Sequence, residues 1–531
     1  MRTLFIGLDG ATFTVLDALT AARNGDGPVM PFLGQIYRTG ARSILRSTPN
    51  PLTPPAWATL MTGKNPGKHG VFDFIRTEDR GNEVFFTLYD SRDCVAESIW
   101  SVASRHGKSV AALNFPFTAP PPENLNGLMV PGFVPWRHLR RNTVPAGLFD
   151  ELKTVPGFNF KELAWDFDRE KKATDDLSDE DRERWVRYHL PREEQWFKIA
   201  RYIMLEKNPD LLAVMFDGVD KLQHQAWAFI DPDMQNGSQD DYHRRMNEMC
   251  MGYFRQLDGF IKSLVELAGP DTQVFVASDH GFTATTEVVR INTYLGQKGY
   301  LRWKQSADTA EAARREDSMF ANLDWEKTIA YCPTGSSNGI TIRVADRPGA
   351  PGVKPEDYES VRDRLVADLR ELRDGQTGEP VITAIFKREE VFQGPAMSRA
   401  PDLLLTLRDH GFVSIKNKIP VVEPREQVAG THHPNGVLFA FGPGIRQGDE
   451  SEPHDVADVG ATLLYSLGLP VPEDFDGRVA EGVFARQYLE QNPVVIGGAT
   501  TGPSRERETE YVTDENDEEK VKEQLRMLGY L

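Results

Sequence analysis

The chain has 531 residues, 40% of them apolar and 26% charged, with 44 Gly and 35 Pro, a globular composition that excludes wholesale disorder and fibrous repeats. Its 61 Lys and Arg stand against 79 Asp and Glu, a formal net charge of −18, which repels phosphate backbones and anionic lipid heads and argues against general nucleic-acid binding. Bound cations lie outside that sum, so a local positive site stays open.

Short apolar runs ending at polar residues recur at wide intervals: Thr3 to Leu8, Val110 to Leu113, Leu211 to Phe216, Gln273 to Ala277, Leu403 to Leu405 and Val437 to Phe441. They predict buried strands of a largely parallel sheet. Helical patterns at Pro31 to Arg38, Arg244 to Leu267 and Tyr358 to Leu372 supply the crossovers that parallel strands require. The expected fold is α/β, a three-layer sandwich with inserted cap regions. The division expected is catalytic core over 1–134, 208–295 and 379–490, a helical cap or insertion over 135–207, a second insertion over 296–378, and a C-terminal linker with a short helix over 491–531.

Only three cysteines occur, Cys94, Cys250 and Cys332, too few for a disulfide framework or a cysteine zinc cluster, which fits a reducing compartment. The apolar start is too short for a signal peptide, and no apolar stretch reaches the roughly 20 residues of a membrane span. A cytoplasmic protein without a membrane span is the expectation, its oligomeric state open.

The chemistry-bearing residues gather at predicted strand ends, the edge where open α/β sheets bind ligands. Asp9 follows the first strand, with Gly10 beside it for a tight turn; taken alone it also fits a helix cap. Asp220 and His224 follow the Leu211 strand at i, i+4 spacing, which places carboxylate and imidazole on one helical face, and Asp217 competes for the carboxylate role. Asp279-His280-Gly281 closes the Gln273 strand, and an acid and an imidazole ending a buried strand need a cap or a ligand. Two further imidazoles, His432 and His433, sit on a glycine-bounded turn, Gly430 to Gly436, just before the Val437 strand. Thr53 precedes Pro54 and Pro55 and reads as a helix N-cap. In that place its hydroxyl also feels the positive end of the helix dipole, which favours an alkoxide and an approaching phosphoryl group.

The ordered set Gly7-Leu8-Asp9-Gly10, Thr53-Pro54-Pro55-Ala56-Trp57, Pro66-Gly67-Lys68-His69-Gly70, Asp220 to His224, Ser278-Asp279-His280-Gly281 and Gly430-Thr431-His432 resembles the alkaline phosphatase superfamily, in particular its type I phosphodiesterase/nucleotide pyrophosphatase branch. The similarity spans roughly residues 1 to 480. It implies a hydrolase of a small-molecule phosphoester with two divalent ions, zinc first and manganese second. Asp220, His224 and His432 would hold one ion, and Asp9, Asp279, His280 and the Thr53 oxygen the other. It further implies that Thr53 is the nucleophile, forming a phosphothreonine that water then hydrolyses with net retention at phosphorus.

Two departures bear on the substrate. Nucleotide-cleaving relatives carry an Asn where Phe74 stands here, and Pro54 has no N–H to offer beside the nucleophile. Asn114, Asn338 and Arg137 are the candidate replacement donors, each also at home in a turn or on the surface. Without a clear arginine motif to meet the extra charge of a monoester, a phosphodiester is the expected substrate. A phosphomonoesterase, a phosphomutase, a phospho-group transferase or a non-catalytic protein of the same fold are the alternatives. Trp136, Trp165, Trp185, Trp196 and Trp303 offer aromatic surface in the insertions, with core packing as their ordinary role.

Overall fold

The computed structural model describes residues 1–22, 27–79, 84–134, 136–163, 178–235, 240–304, 323–448 and 450–502. Its centre is an eight-stranded sheet with the order His454–Asp455, Ala41–Arg46, Asn435–Phe441, Gln273–Ala277, Thr3–Leu8, Leu211–Phe216, Val110–Leu113 and Gly127–Val130. From Gln273–Ala277 to Gly127–Val130 all pairs are parallel, with Thr3 opposite Leu211 on one side and Gln273 on the other. Both flanks are covered, so these strands are apolar throughout rather than alternating. Side chains of successive residues still go to opposite faces. Leu4, Ile6 and Leu8 join helices Phe13–Thr20, Pro31–Thr39, Asp179–Glu206, Gly218–Ile230 and Asp241–Ala268 in one core layer. Phe5 joins helices Thr53–Thr62, Ile99–Arg105 and Val456–Ser466 in the other. The α/β sandwich expected from the sequence is the architecture found.

Several local expectations are corrected. The Val437 strand lies in the central sheet but runs antiparallel to both of its long neighbours, Ala41–Arg46 and Gln273–Ala277. Leu403–Leu407 is not in that sheet; it pairs antiparallel with Gly339–Ile342 and Ile382–Lys387 in a separate four-stranded sheet completed by Ala330–Tyr331. This inserted sheet has its own core, built from Ile340, Ile342, Leu403, Leu405 and Leu365 of the helix Tyr358–Arg370. It therefore crosses the boundary expected at residue 378, because an apolar run alone does not say which sheet receives it.

The region expected as a cap over 135–207 is helical where described, but its long helix Asp179–Glu206 is a crossover packed on the central sheet through Val186, Trp196, Ile199 and Ile203. Trp185 and Trp196 are buried there and Trp303 packs against the inserted core; the Trp136 side chain, Trp165 and the tail beyond 502 lie outside the described residues. No helix among the described residues is long and apolar enough to cross a membrane.

Candidate active site

Five elements begin or end near one edge of the central sheet and carry the candidate side chains. Asp9 follows Thr3–Leu8 and turns on Gly10, whose φ of +69° and close approach to Phe282, 2.8 Å from where a Cβ would stand, require glycine. Asp279 and His280 sit between Gln273–Ala277 and the next strand, Gly281–Arg290. Asp220 and His224 share a face of Gly218–Ile230, as their spacing predicts.

His432 arrives differently from expectation. The Gly430–His433 segment is not a loop but the end of a twelve-residue strand, Val422–His433, paired antiparallel with Gly281–Arg290 so that His432 faces Phe282. Gly430 lies so close to the helix that a Cβ there would stand 2.2 Å from the Gln223 carbonyl oxygen.

The side chains meet. Asp220 Oδ1 is 3.1 Å from His432 Nε2 and 3.4 Å from His224 Nε2, and the two imidazole nitrogens are themselves 3.1 Å apart. His280 Nε2 is 3.3 Å from Asp279 Oδ2, 3.5 Å from Asp9 Oδ1 and 3.3 Å from Thr53 Oγ1. The His280 and His432 rings stack at 3.6 Å between centroids and join the two halves. Two groups are close enough to hold a cation: Asp9, Asp279 and His280, and Asp220, His280 and His432. His224 touches the second group through both Asp220 and His432, and His280 belongs to both.

The hydrogen bonds behind these atoms suit metal ligation. The Nδ1 atoms of His224, His280 and His432 lie 3.2, 3.1 and 2.7 Å from the carbonyl oxygens of Gly430, Gly281 and Pro51. A carbonyl can only accept, so Nδ1 carries the proton in each ring and the Nε2 lone pair faces the site, the tautomer a cation needs. Asp9 Oδ2 accepts from Trp57 Nε1 at 3.4 Å and Asp279 Oδ1 from the Gly10 amide at 3.2 Å. The other oxygens, Asp9 Oδ1 and Asp279 Oδ2, are buried without a hydrogen-bond partner. Two such anionic oxygens facing one imidazole lone pair are costly unless a cation joins them.

The protonation pattern follows from this crowding. Burial and then the charge of neighbouring carboxylates, Asp279 foremost, push Asp9 well above the usual carboxylate range; burial does the same to Asp279, with Asp220 adding to it. Burial also opposes ionisation of Asp220, but the His224 and His432 imidazoles overcome it and hold that carboxyl well below its ordinary value. Burial lowers His280 and His432, keeping both rings neutral and available as ligands.

Thr53 is not a cap. The N-cap of helix Thr53–Thr62 is Leu52; Thr53 is the first helical residue, 5% exposed, and its hydroxyl bonds no backbone amide of the helix end. Pro54 and Pro55 follow it without N–H groups. The hydroxyl is thus free of structural duty and directed at His280.

The remaining sequence candidates fall elsewhere. Asp217 pairs with the buried Arg192 and accepts from Asn114 Nδ2 at 3.0 Å; burial works against its charge, but the guanidinium keeps it below its ordinary range. Asn114 also donates to the Met215 carbonyl oxygen at 2.9 Å, so both amide hydrogens serve the core. Asn338 bonds the Gly411 carbonyl oxygen and the Val413 amide inside the inserted region. Phe74 is half-buried, its ring 6.4 Å from that of Phe133, and the Arg137 side chain lies outside the described residues. His69 accepts from the Val71 amide at 3.1 Å and contacts the Thr59 hydroxyl at 2.9 Å, bracing the helix that carries Thr53 rather than the site. His433 accepts from the Asn435 amide at 3.1 Å and packs on His410, away from the cluster.

Sequence reasoning missed the supports. Trp57, one helical turn beyond Thr53, carried the i, i+4 signal of a shared face; Arg192, 25 residues before Asp217, carried none.

Comparison with known proteins supports the fold. Residues 3–435 match the family described as type I phosphodiesterase/nucleotide pyrophosphatase. Murine ectonucleotide pyrophosphatase/phosphodiesterase 5 is similar in fold, with a TM-score of 0.52 at 16% identity, covering 88% of this chain and 95% of that one. An inactive form of the murine protein in complex with AMP gives 0.52 at 14% identity over 93% and 99% of the two chains. The human counterpart gives 0.51 at 14% identity, with the same coverage. A comparison with curated proteins finds no match. With its family profile matched over most of its length, the chain belongs to the type I phosphodiesterase/nucleotide pyrophosphatase family, whose members are metal-dependent phosphoester hydrolases.

Proposed function

We propose that the protein hydrolyses a small-molecule phosphodiester through a phosphothreonine on Thr53, with two divalent cations, zinc first and manganese second. The observation that carries this reading is the placement of the Thr53 hydroxyl, uncommitted to capping, 3.3 Å from His280 Nε2 and beside two unpartnered carboxylate oxygens. Asp9, Asp279, His280 and Thr53 would hold one cation, and Asp220, His224 and His432 the other, the two sets joined through the stacked His280 and His432 rings. Three imidazoles, three carboxylates and a hydroxyl suit zinc, and the oxygen-rich half also suits manganese. Bound cations would supply Lewis-acid stabilisation of negative charge on the threonine oxygen and on the phosphoryl group.

The chain's own groups account for the rest. The Thr53 oxygen, at the positive end of a ten-residue helix, attacks phosphorus; the new Oγ1–P bond forms as the P–O bond to the leaving group breaks. Water then attacks the phosphothreonine, the Oγ1–P bond breaks, and the hydroxyl is restored. Two successive inversions give net retention. The neutral imidazoles leave the ligand set with three carboxylate charges, which would keep a loaded centre from holding an anionic product too tightly.

Diester specificity is supported by the charge around the cluster. Among the described residues Asp9, Asp220 and Asp279 form ion pairs with histidines and with no Lys or Arg, in keeping with the absence from the sequence of a clear arginine motif for a monoester's second charge. Phe74 in place of a hydrogen-bonding Asn points to a substrate other than those of the nucleotide-cleaving relatives. Acid quenching during turnover of bis(nitrophenyl) phosphate, followed by peptide mass spectrometry, tests the reading. A nitrophenylphosphoryl group on the peptide containing Thr53 is expected, since one nitrophenolate leaves and the other stays on phosphorus; steady turnover with that peptide unmodified under conditions that trap the covalent adduct would refute it.

A further inference from the structure

A cavity of about 650 Å³ opens where the segment after His69 meets the inserted sheet. None of the seven candidate site residues lines it, and its size falls within the roughly 300–1,000 Å³ of small-molecule sites. One wall is Phe72, Arg76 and Tyr89 from the catalytic side; the other is Thr341, Tyr358 and Arg399 from the inserted region.

The polar groups of this cavity are unequally engaged. Asp73 accepts from the Phe74 amide at 2.6 Å and from the hydroxyls of Thr334 and Ser336, and burial pushes its carboxyl up to about 6. Asp402 accepts from the Ile342 amide at 2.6 Å and the Tyr358 hydroxyl, and pairs with Arg388 at 3.3 Å. Arg76 is spent on Thr87, Asp93 and Glu78 at 2.7, 2.8 and 3.1 Å. Arg399 is the exception. Its Nη1 donates to the Asp93 backbone carbonyl at 2.9 Å, and among the described residues no carboxylate pairs with it. The cavity therefore presents one uncompensated guanidinium at the rim of an otherwise self-satisfied polar wall, with the aromatic rings of Phe72, Tyr89 and Tyr358 around it.

We propose that this cavity binds a small aromatic monoanion, its charge held by Arg399 and its ring lying among Phe72, Tyr89 and Tyr358. A guanidinium offers a planar fork to a carboxylate or sulfonate and stacks on aromatic faces, whereas a second negative charge would meet Asp73, Glu78 and Asp402 across the space. The site draws on both the nucleophile-bearing core and the inserted sheet, so occupancy ties the two together without touching the metal ligands.

The test is fluorescence titration of the full chain with anilinonaphthalene sulfonate, an aromatic monoanion, and with its uncharged parent phenylnaphthylamine. Saturable binding of the sulfonate at one site per chain is expected, weakened about tenfold by Arg399→Ala, an exposed position where the fold is not at stake. Thr341→Trp, which fills the cavity, is expected to abolish it, with thermal melts confirming that the variant folds. Thr53→Ala and chelation of metal are expected to leave it intact. Equal binding of both probes, an unchanged affinity in Arg399→Ala, or loss of binding on chelation would each overturn the proposal.

Discussion

Replacing Thr53 by Ala separates the chemistry of this residue from its structural share. The side chain is 5% exposed, and the substitution removes one methyl and one hydroxyl from a helix start that Leu52, not Thr53, caps. Losing the methyl costs about 1 kcal/mol of burial, and losing the 3.3 Å contact to His280 about another 0.5–1. Alanine's better helix propensity returns a few tenths. A net destabilisation of about 1–2 kcal/mol is expected, small against the whole fold, with metal content unchanged because six other ligands remain. Activity should respond on another scale: without the attacking oxygen the covalent route closes, and a loss of about 10⁴-fold or more, roughly 5 kcal/mol of barrier, is expected. Thr53→Ser, which keeps the oxygen, should retain most of the rate. The assay pairs initial rates on bis(nitrophenyl) phosphate with metal analysis and thermal melts of the same preparations. A Thr53→Ala protein that keeps its metal and turns over within about tenfold of the parent would show that this hydroxyl is not the nucleophile.

Three further expectations follow from the same geometry. His432→Ala should lower activity about 100-fold or more and reduce bound metal, whereas His433→Ala should change either by less than about threefold, because only His432 reaches Asp220; equal losses in the two variants would contradict the assignment. Stripped of metal, the protein keeps Asp9 and Asp279 with carboxyl values raised by burial, so the folded state holds their protons more tightly than the unfolded chain does. The share of stability that these two acids give the stripped form is then present at low pH and lost as pH rises through the raised values, and the melting gain on adding zinc should be larger at about pH 8 than at about pH 5. Asp73, pushed up to about 6, adds to the decline in both forms and cancels in that difference; a metal gain that is flat with pH would count against the clustering of these acids. Finally, Gly430→Ala drives a Cβ to 2.2 Å from the Gln223 carbonyl and should cost about 3 kcal/mol in urea unfolding, with activity falling alongside since the Gly430 carbonyl orients His224; wild-type stability in that variant would mean the strand and helix are less closely packed.

Asp9, Asp220, His224, Asp279 and His280 could be located from the sequence because each sits within a few residues of an element whose local pattern is unambiguous. A buried parallel strand announces itself as an unbroken apolar run, and the residue that ends it lies at the ligand-binding edge wherever the strand falls in the sheet. The i, i+4 face of Asp220 and His224 is likewise a local property of one helix. His432 was legible as a motif but not as a strand residue, since its approach depends on an antiparallel ladder with Gly281–Arg290, well over a hundred residues away. The same non-locality hid the sheet that Leu403–Leu407 joins, the burial of Arg192 against Asp217, and the use of Asn114 and Asn338 inside the protein.

By itself, then, the sequence determined the α/β class and four of the five strands of the parallel core, Gly127–Val130 being missed, because these rest on composition and periodicity, while the choice of side chains to carry the chemistry came with the family resemblance. Only the tertiary structure decided that Thr53 is released from capping, that three imidazoles share one tautomer, and that two carboxylate oxygens are left facing a common point. Those are properties of contacts between segments far apart in the chain, and no local pattern of residues encodes which distant carbonyl an imidazole will find.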